Sequence, residues 1–385
     1  MANVKLSNVI RRAQTKVDKD DTDLVFYVGG EHIESENIRV HSRGIIAEST
    51  IGPMFYYGFK AGDFLLVSRN PHLKKAGLVD FDGICSEKTF VLETANSDVL
   101  LPEFLPFVLQ NERFWDYAYR HRHGSTNTFI NWSTLANYEF ELPDLETQRK
   151  LAEVLWSIND TMEAYKNLIS ATDELVKSQF MEQFGDPSNN VYGYPVTTLK
   201  EVAVGPLSYG SVSSATEFDG ITRYVRITDI MDDGNLGGDI KSATKTDAKY
   251  LLHEGDILFA RTGATVGKTC RYRENYGRAI YAGFLIRLIP DTTLIDPDYL
   301  YHFTKSDYYW DFVRSAQRVV AQPNINAQEY GDLQILLPKI EAQKSFAAFV
   351  QQSDKSKFAI QCCSNLNLWS SSVMPQPIQR DYRLP

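Results

Sequence analysis

The segment "RTGATVGKT", residues 261–269, holds two glycines, a lysine and a threonine close to the spacing of a phosphate-binding loop. A P-loop reads G-x-x-x-x-G-K-[ST] and cradles phosphates with backbone N–H groups between a strand and a helix. Here Gly263 and Gly267 enclose Ala264, Thr265 and Val266, three residues where the motif needs four. The preceding "DILFA" suits a strand, but the following "CRYRENYGRAIYAGFLIRLI" carries glycines and strand formers rather than a helix. The glycines are therefore expected in a turn between strands. The cations still need an explanation. Between 261 and 278 stand Arg261, Lys268, Arg271, Arg273 and Arg278, together with Thr262, against the single acid Glu274. A corresponding stretch, residues 69–77, carries Arg69, Lys74 and Lys75 and no acid. Basic loops of this kind suit contact with phosphates, which positions a protein on nucleic acid.

Two further segments bring side chains that read bases. "YRHRHGSTN" supplies Arg120, Arg122, His123, Ser125 and Asn127; "RSAQRVVAQPN" supplies Arg314, Gln317, Arg318, Gln322 and Asn324. Arg pairs bidentately with guanine, and Asn or Gln with adenine. His121 and His123 have no Cys or carboxylate at ligand spacing, so surface or DNA contact is expected in preference to a metal. Catalysis finds no foothold. A methyltransferase acting on adenine needs a D/N-P-P-Y/F-type motif, and the chain has no Pro-Pro pair; nor does any Pro-Asp pair lead into a nuclease-like acid-x-Lys. No cofactor is expected.

The elements that must hold these loops come in two copies. "HGSTNTFINWSTLANYEFELPDLETQRKLA", from 123, aligns without a gap on "RVVAQPNINAQEYGDLQILLPKIEAQKSFA", from 318. At a constant offset of 195, Trp115 meets Trp310, Asn131 meets Asn326, Pro143 meets Pro338 and Gln148 meets Gln343. Each half opens with β-like runs, "DLVFYVGG", "DFLLVSRN" and "KTFVLE" in one, "TRYVRITDI", "DILFART" and "FLIRLI" in the other. An aromatic helix is expected next, over 102–120 and 297–315, with Trp115 and Trp310 in the core. A strand ending in "ELP" or "LLP" follows.

After each Pro the pattern changes. From Leu145 to Phe184 there is no Pro or Gly, and Leu151, Leu155, Ile158, Met162, Tyr165, Ile169 and Val176 repeat at steps of three and four. That is the seam of a helix packed along another helix, a rod of roughly 60 Å at 1.5 Å per residue. It stops at "GDPSNN". A second rod starts near Lys339 and fades around Trp369, with Ser353, Lys357 and Ser364 in a poorer seam; a plain surface helix is the alternative there. The order is globule, rod, globule, rod. Two such rods pairing antiparallel would make a pseudo-two-fold molecule from one chain, and two similar readers at fixed separation suit a bipartite DNA sequence.

Composition sets outer limits. The chain has 385 residues, 43% hydrophobic and 23% charged, and no run of about 20 apolar residues that would cross a membrane. "MANVKLSNVIRRAQ" has no apolar signal region. Cys85, Cys270, Cys362 and Cys363 form no zinc or disulfide framework, so a reducing cytoplasm is expected. A net charge of −9 argues against a uniformly basic binder and leaves local basic loops as the route to DNA.

"FMEQFGDPSNNVYGYPVTTLKEVA", the paired "LP" and "Q…LA" signatures, the "IN" ahead of each, "GDILFARTGATVGK" and "FDGICSEKTFVLE" together resemble specificity subunits of type I restriction-modification systems. The resemblance covers Leu6 to about Trp369. It implies an α+β fold with two similar α/β target recognition domains, at 1–143 and 187–337, separated by two long antiparallel helices forming a coiled coil, at 144–186 and 338–372, before a tail at 373–385. It also implies a non-catalytic subunit that reads bipartite double-stranded DNA. Such a subunit docks two methyltransferase subunits and two restriction translocase subunits. The second helix is less regular than that pattern. From the residues alone, two other readings stay open: a P-loop-like NTPase or nuclease, and a protein-binding scaffold.

Overall fold

The computed structural model describes residues 2–317 and 324–364. Arg318, Gln322, the helix expected beyond Ser364 and the tail from 373 lie outside the described residues. The chain divides into two compact units, the first running to Glu163 and the second over Ala164–Leu366. Within each unit the same scaffold is built in the same order.

The first unit centres on a four-stranded antiparallel sheet in the order Ile10–Ala13, Thr89–Thr94, Phe64–Val67, Ala76–Leu78. Phe64, Leu65, Leu66 and Val67 are all buried, because this central strand is covered on both faces. The second unit repeats the order with Ser208–Tyr209, Leu285–Leu288, Ile257–Ala260 and Thr269–Arg271. In each, a parallel pair stands beside this sheet: Phe26–Val28 with Gly83–Ser86, and Arg223–Val225 with Ala279–Tyr281. A two-stranded ribbon then leads into the long helix, Ala2–Lys5 on Glu139–Leu142 and Val196–Thr198 on Gln334–Leu336. The second unit adds a hairpin of its own, Ala215–Glu217 with Lys241–Ala243.

The single aromatic helix expected in each half is two helices. They are Leu105–Leu109 and Glu112–Arg120 in the first unit, Pro297–Phe303 and Asp307–Gln317 in the second. A polar cap makes the break. Asn111 Oδ1 accepts from the Arg113 N–H at 2.9 Å, and Ser306, 195 residues on, accepts from the Tyr309 N–H at 3.3 Å. Trp115 is buried and Trp310 packs against the second core, both in the interior role expected of them.

The helix Leu145–Phe184 runs unbroken for 40 residues. Asp144 starts it by accepting from the Thr147 N–H at 2.9 Å, which also holds the Asp144 carboxyl below its usual range. Gly185 ends it at φ +71°, a left-handed turn that favours glycine. Leu151, Ala152, Leu155 and Trp156 join the first core; Val176, Phe180 and Phe184 join the second. Ile158, Met162, Tyr165 and Ile169, between these groups, are half-buried. In the second unit the helix Ile340–Ser364 runs against the later turns in the opposite direction. Phe346 packs edge-on against Phe184 and Phe180 at 5.6 and 5.4 Å, Val350 joins the same core, and Lys357 pairs with Asp173. Ser353, one of the poorer seam positions, is buried and satisfied by the Phe349 carbonyl, while Lys357 at the next has an ion pair.

Candidate nucleic-acid interface

The segment that resembles a P-loop is a hairpin. It joins antiparallel strands Ile257–Ala260 and Thr269–Arg271, and its N–H groups are used internally: Val266 donates to Gly263 O, Gly267 to Ala260 O and Lys268 to Thr265 O. Gly267 takes φ +87°, and a Cβ there would come within 2.6 Å of Val313. Close packing on the helix above, together with the turn, explains this glycine without a nucleotide. Gly263, at φ +72°, lies in open space and serves the turn alone.

The basic residues of the two loops do not share one environment. Arg271 is only 11% exposed; it pairs with Asp298 at 3.0 Å and Glu254 at 3.2 Å. Arg273 pairs with Asp354 on the C-terminal helix at 3.0 Å and approaches Asp298 at 3.9 Å. Both were expected to face DNA, and both instead hold the sheet to the helices behind it. Burial pushes the Asp298 carboxyl upward against these two arginines, so their charges are needed where they are. Lys74 sits in a left-handed turn at φ +47° and pairs with Glu36 and Glu112, each at 2.7 Å. Lys75 donates to the Gly30 carbonyl at 2.6 Å, and Lys268 pairs with Asp232 at 2.6 Å. These three are half-buried structural cations more than free phosphate clamps.

What the structure does bring together lies at the end of each four-stranded sheet. In the first unit Arg69 is exposed and bridges Phe129 across the backbone, flanked by the bonds Asn70 N–H to Thr128 O at 2.7 Å and Ile130 N–H to Ser68 O at 2.9 Å. In the second, Thr262 bridges Asn324, with Ile325 N–H donating to Arg261 O at 2.9 Å. The Arg261 side chain reaches Asn324 Oδ1 at 3.1 Å and lies over the Tyr209 ring at 4.7 Å. Planar stacking and a fixed hydrogen bond pre-orient this guanidinium. Beside the first bridge, His123 exchanges both backbone hydrogen bonds with Phe129, and His123 and Asn127 are exposed on that hairpin. Arg120 is exposed near Asp116 at 3.9 Å; Arg122 folds over Tyr119 and donates to its carbonyl at 2.6 Å.

Neither described buried cysteine is poised as a nucleophile. Burial pushes the Cys85 and Cys270 thiols up to about 12, far from a thiolate. Among the described residues no group of three or more His, Cys, Asp or Glu is placed to hold a metal. No described helix is long and apolar enough to cross a membrane.

The family model for the type I restriction modification DNA specificity domain matches twice, over residues 11–171 and 195–363. The chain belongs to the type I restriction-modification specificity family. The two matches coincide with the two copies of the scaffold, each including most of its long helix. Among curated relatives, the specificity subunit of the type I restriction enzyme HindI from Haemophilus influenzae is 26% identical over 132 residues, which is 33% of this chain and 28% of that protein. The match thus spans under a third of the relative's length. Among solved structures, the type I restriction-modification S subunit from M. genitalium superposes with a TM-score of 0.54 at 14% identity, covering 94% of this chain and 93% of that one. The HsdS subunit from Thermoanaerobacter tengcongensis is similar at 19% identity over 94% and 91%, with a TM-score of 0.38.

For this specificity-family chain, sequence reasoning missed several residues at the sheet ends and behind them. Tyr209, under the Arg261 guanidinium, was not singled out, and Phe284, whose carbonyl accepts from the Arg261 N–H, was read only as a strand former. Arg39 was not noticed. It pairs with Asp160 and Glu163 on the long helix, each at 2.7 Å, and lies over Trp156 at 4.7 Å. Its partners stand more than a hundred residues away, and no local pattern announces such a pairing.

Proposed function

We propose that the two units are target recognition domains, each reading one half of a bipartite double-stranded DNA sequence. The observation that supports this most is the repeated sheet end. Equivalent backbone bridges, Arg69 to Phe129 and Thr262 to Asn324, present different side chains from one scaffold. A duplicated frame with divergent tips is what two readers of different sequences require. Arg69, Arg261, Asn324, Asn127 and His123 are the base-reading or phosphate-contacting side chains in this reading. The subunit performs no chemistry itself. It works in the cytoplasm and docks two methyltransferase subunits, and two restriction translocase subunits where the complex cleaves. The helices Leu145–Phe184 and Ile340–Ser364 are the antiparallel coiled-coil pair in this reading.

The test is to express the chain with its partner methyltransferase and map the modified bases. A two-part motif with a fixed gap is expected. Replacing residues 1–143 by the first reader of another family member should change one half of that motif only. A change in both halves, or in neither, refutes the assignment of one reader to each half.

A further inference from the structure

Phe284 is 61% exposed, an unusual place for a phenyl ring at the mouth of a well-packed sheet. Its position is fixed by backbone bonding. The Arg261 N–H donates to the Phe284 carbonyl at 3.1 Å, immediately after the strand pair Ala260 and Leu285. The next segment over is tied in as well: Gly283 N–H donates to Ser211 O at 2.7 Å, which leaves Val212 beside it at 95% exposure. Two apolar side chains thus stand in the open on segments bonded at or next to the Arg261 backbone.

The first unit has the same position with different chemistry. There the Ser68 N–H donates to the Lys88 carbonyl at 2.8 Å, immediately after the strand pair Val67 and Thr89. Ser68 therefore corresponds to Arg261, and Lys88 to Phe284. In the first unit Ser68 is buried with its hydroxyl on the Lys88 carbonyl, and the Lys88 ammonium pairs with Glu87 at 2.7 Å, whereas the second unit presents a cation and an exposed phenyl ring at the corresponding pair. A residue needed for packing would keep its apolar character in both copies. A residue that faces what is read would not.

Resting on the reading of the second unit as a DNA reader, we propose that Phe284 is a specificity-determining residue that seats against the 5-methyl group of a thymine in the second half-site. Apolar side chains contact that methyl in the major groove, where thymine alone presents one. Arg261 beside it takes an adjacent guanine edge or phosphate. Val212 widens the apolar surface. Lys88, in the first unit, meets a phosphate or a guanine at the corresponding place, so the two half-sites differ there.

The experiment uses the full chain with its partner methyltransferase and synthetic duplexes carrying the mapped motif. Each thymine of the second half-site is replaced in turn by deoxyuridine, which lacks only the methyl. One such replacement should lower methylation by the wild-type complex about fourfold, the factor for burying one group of that size. Phe284→Ala should show the same loss on the thymine duplex and no further loss on deoxyuridine. Its first half-site should stay unchanged, which reports that the variant is folded. Indifference of the wild type to every deoxyuridine, or a Phe284→Ala variant that methylates the thymine duplex as fast as the wild type, overturns the proposal. A wild-type complex that marks no bipartite sequence overturns the reader assignment itself, and the two failures are told apart by the unmodified duplex.

Discussion

Gln148 and Gln343, 195 residues apart, close the same three hydrogen bonds in their respective units. Gln148 Oε1 accepts from the Leu101 N–H at 2.9 Å, and its Nε2 donates to the Val99 and Pro143 carbonyls at 2.9 and 2.8 Å. Gln343 accepts from the Asp296 N–H at 2.9 Å and donates to the Leu294 and Pro338 carbonyls at 3.1 and 2.8 Å. Both side chains are 0% exposed. Each ties the first turn of a long helix to the segment that enters the aromatic helices. A buried amide with every partner satisfied is stabilising, and costly to break.

Gln148→Leu should therefore cost about 2–4 kcal/mol, because it orphans a buried N–H and two carbonyls. Gln343→Leu should cost a similar amount. Chemical denaturation with hydrogen exchange resolved by segment checks this. The loss should fall on residues 99–155 for the first variant and on 294–350 for the second. Equal loss of protection across both units in either variant would refute independent ties.

Arg271→Met should destabilise the second unit and leave the DNA motif alone. Removing it strips Asp298 of its nearest cation in a buried site, a change worth about 3–5 kcal/mol where one partner is left behind. Arg261→Ala should do the reverse. It should leave the melting temperature nearly unchanged and cost about 1–3 kcal/mol in discrimination at one base of the second half-site. Thermal melts and motif sequencing on the same two proteins separate the outcomes.

The His302 ring packs edge-on against Phe346 at 5.4 Å, and burial with nearby Lys305, Lys357, Arg273 and Arg271 pushes it down to about 3. The unfolded chain takes up that proton near pH 6.5, whereas the folded chain does not until about pH 3. Stability is thus full above pH 6.5 and falls as the pH drops toward 3. Between pH 7 and 5 this group should remove about 2 kcal/mol. Urea denaturation across that range should show a flatter slope for His302→Gln than for the wild type. Parallel slopes would mean the ring is protonated in the folded state.

Arg39→Met keeps the aliphatic stem but loses the pairs with Asp160 and Glu163 and the stacking on Trp156. A cost of about 1–2 kcal/mol is expected, with faster amide exchange in residues 36–43. Unchanged exchange there would mean the loop is held by other contacts.

Inserting four residues near Leu168 lengthens the helix by roughly 6 Å at 1.5 Å per residue. If this helix sets the gap between half-sites, the gap should grow by about one to two base pairs at 3.4 Å each. Four residues make a little over one turn, so the seam stays nearly in phase. Two residues would rotate it away and should abolish activity. An active four-residue variant with an unchanged gap would leave the helices as docking surfaces only.

The scaffold was legible because it rests on patterns that propagate along the chain. The absence of Pro and Gly from Leu145 to Phe184, the runs around Phe64 and Ile257, and the constant offset through Trp115, Pro143 and Gln148 each reflect local physics. The candidate interface was legible only in part. A loop count of cations treats Arg271 and Arg273 like Arg261, yet strand alternation and distant acids decide which way each points. Phe284 was hidden for the opposite reason. In a strand-rich run a phenylalanine reads as core, and only the end of the sheet exposes it. The break at Asn111 and Ser306 was written in capping residues that an apolar pattern passes over.

The two compact units meet inside a helix, between Glu163 and Ala164, rather than in a loop. Each buried glutamine, with the segments it ties, lies wholly on its own side of that joint. A genetic crossover within the codons around it would carry one reader, its tie and its half of the helix together into a new gene. The helix reading frame, not any side-chain complementarity, is what such a splice must preserve. If the two units are the two readers proposed above, such an exchange would pass one half of a two-part specificity to a new gene at a time.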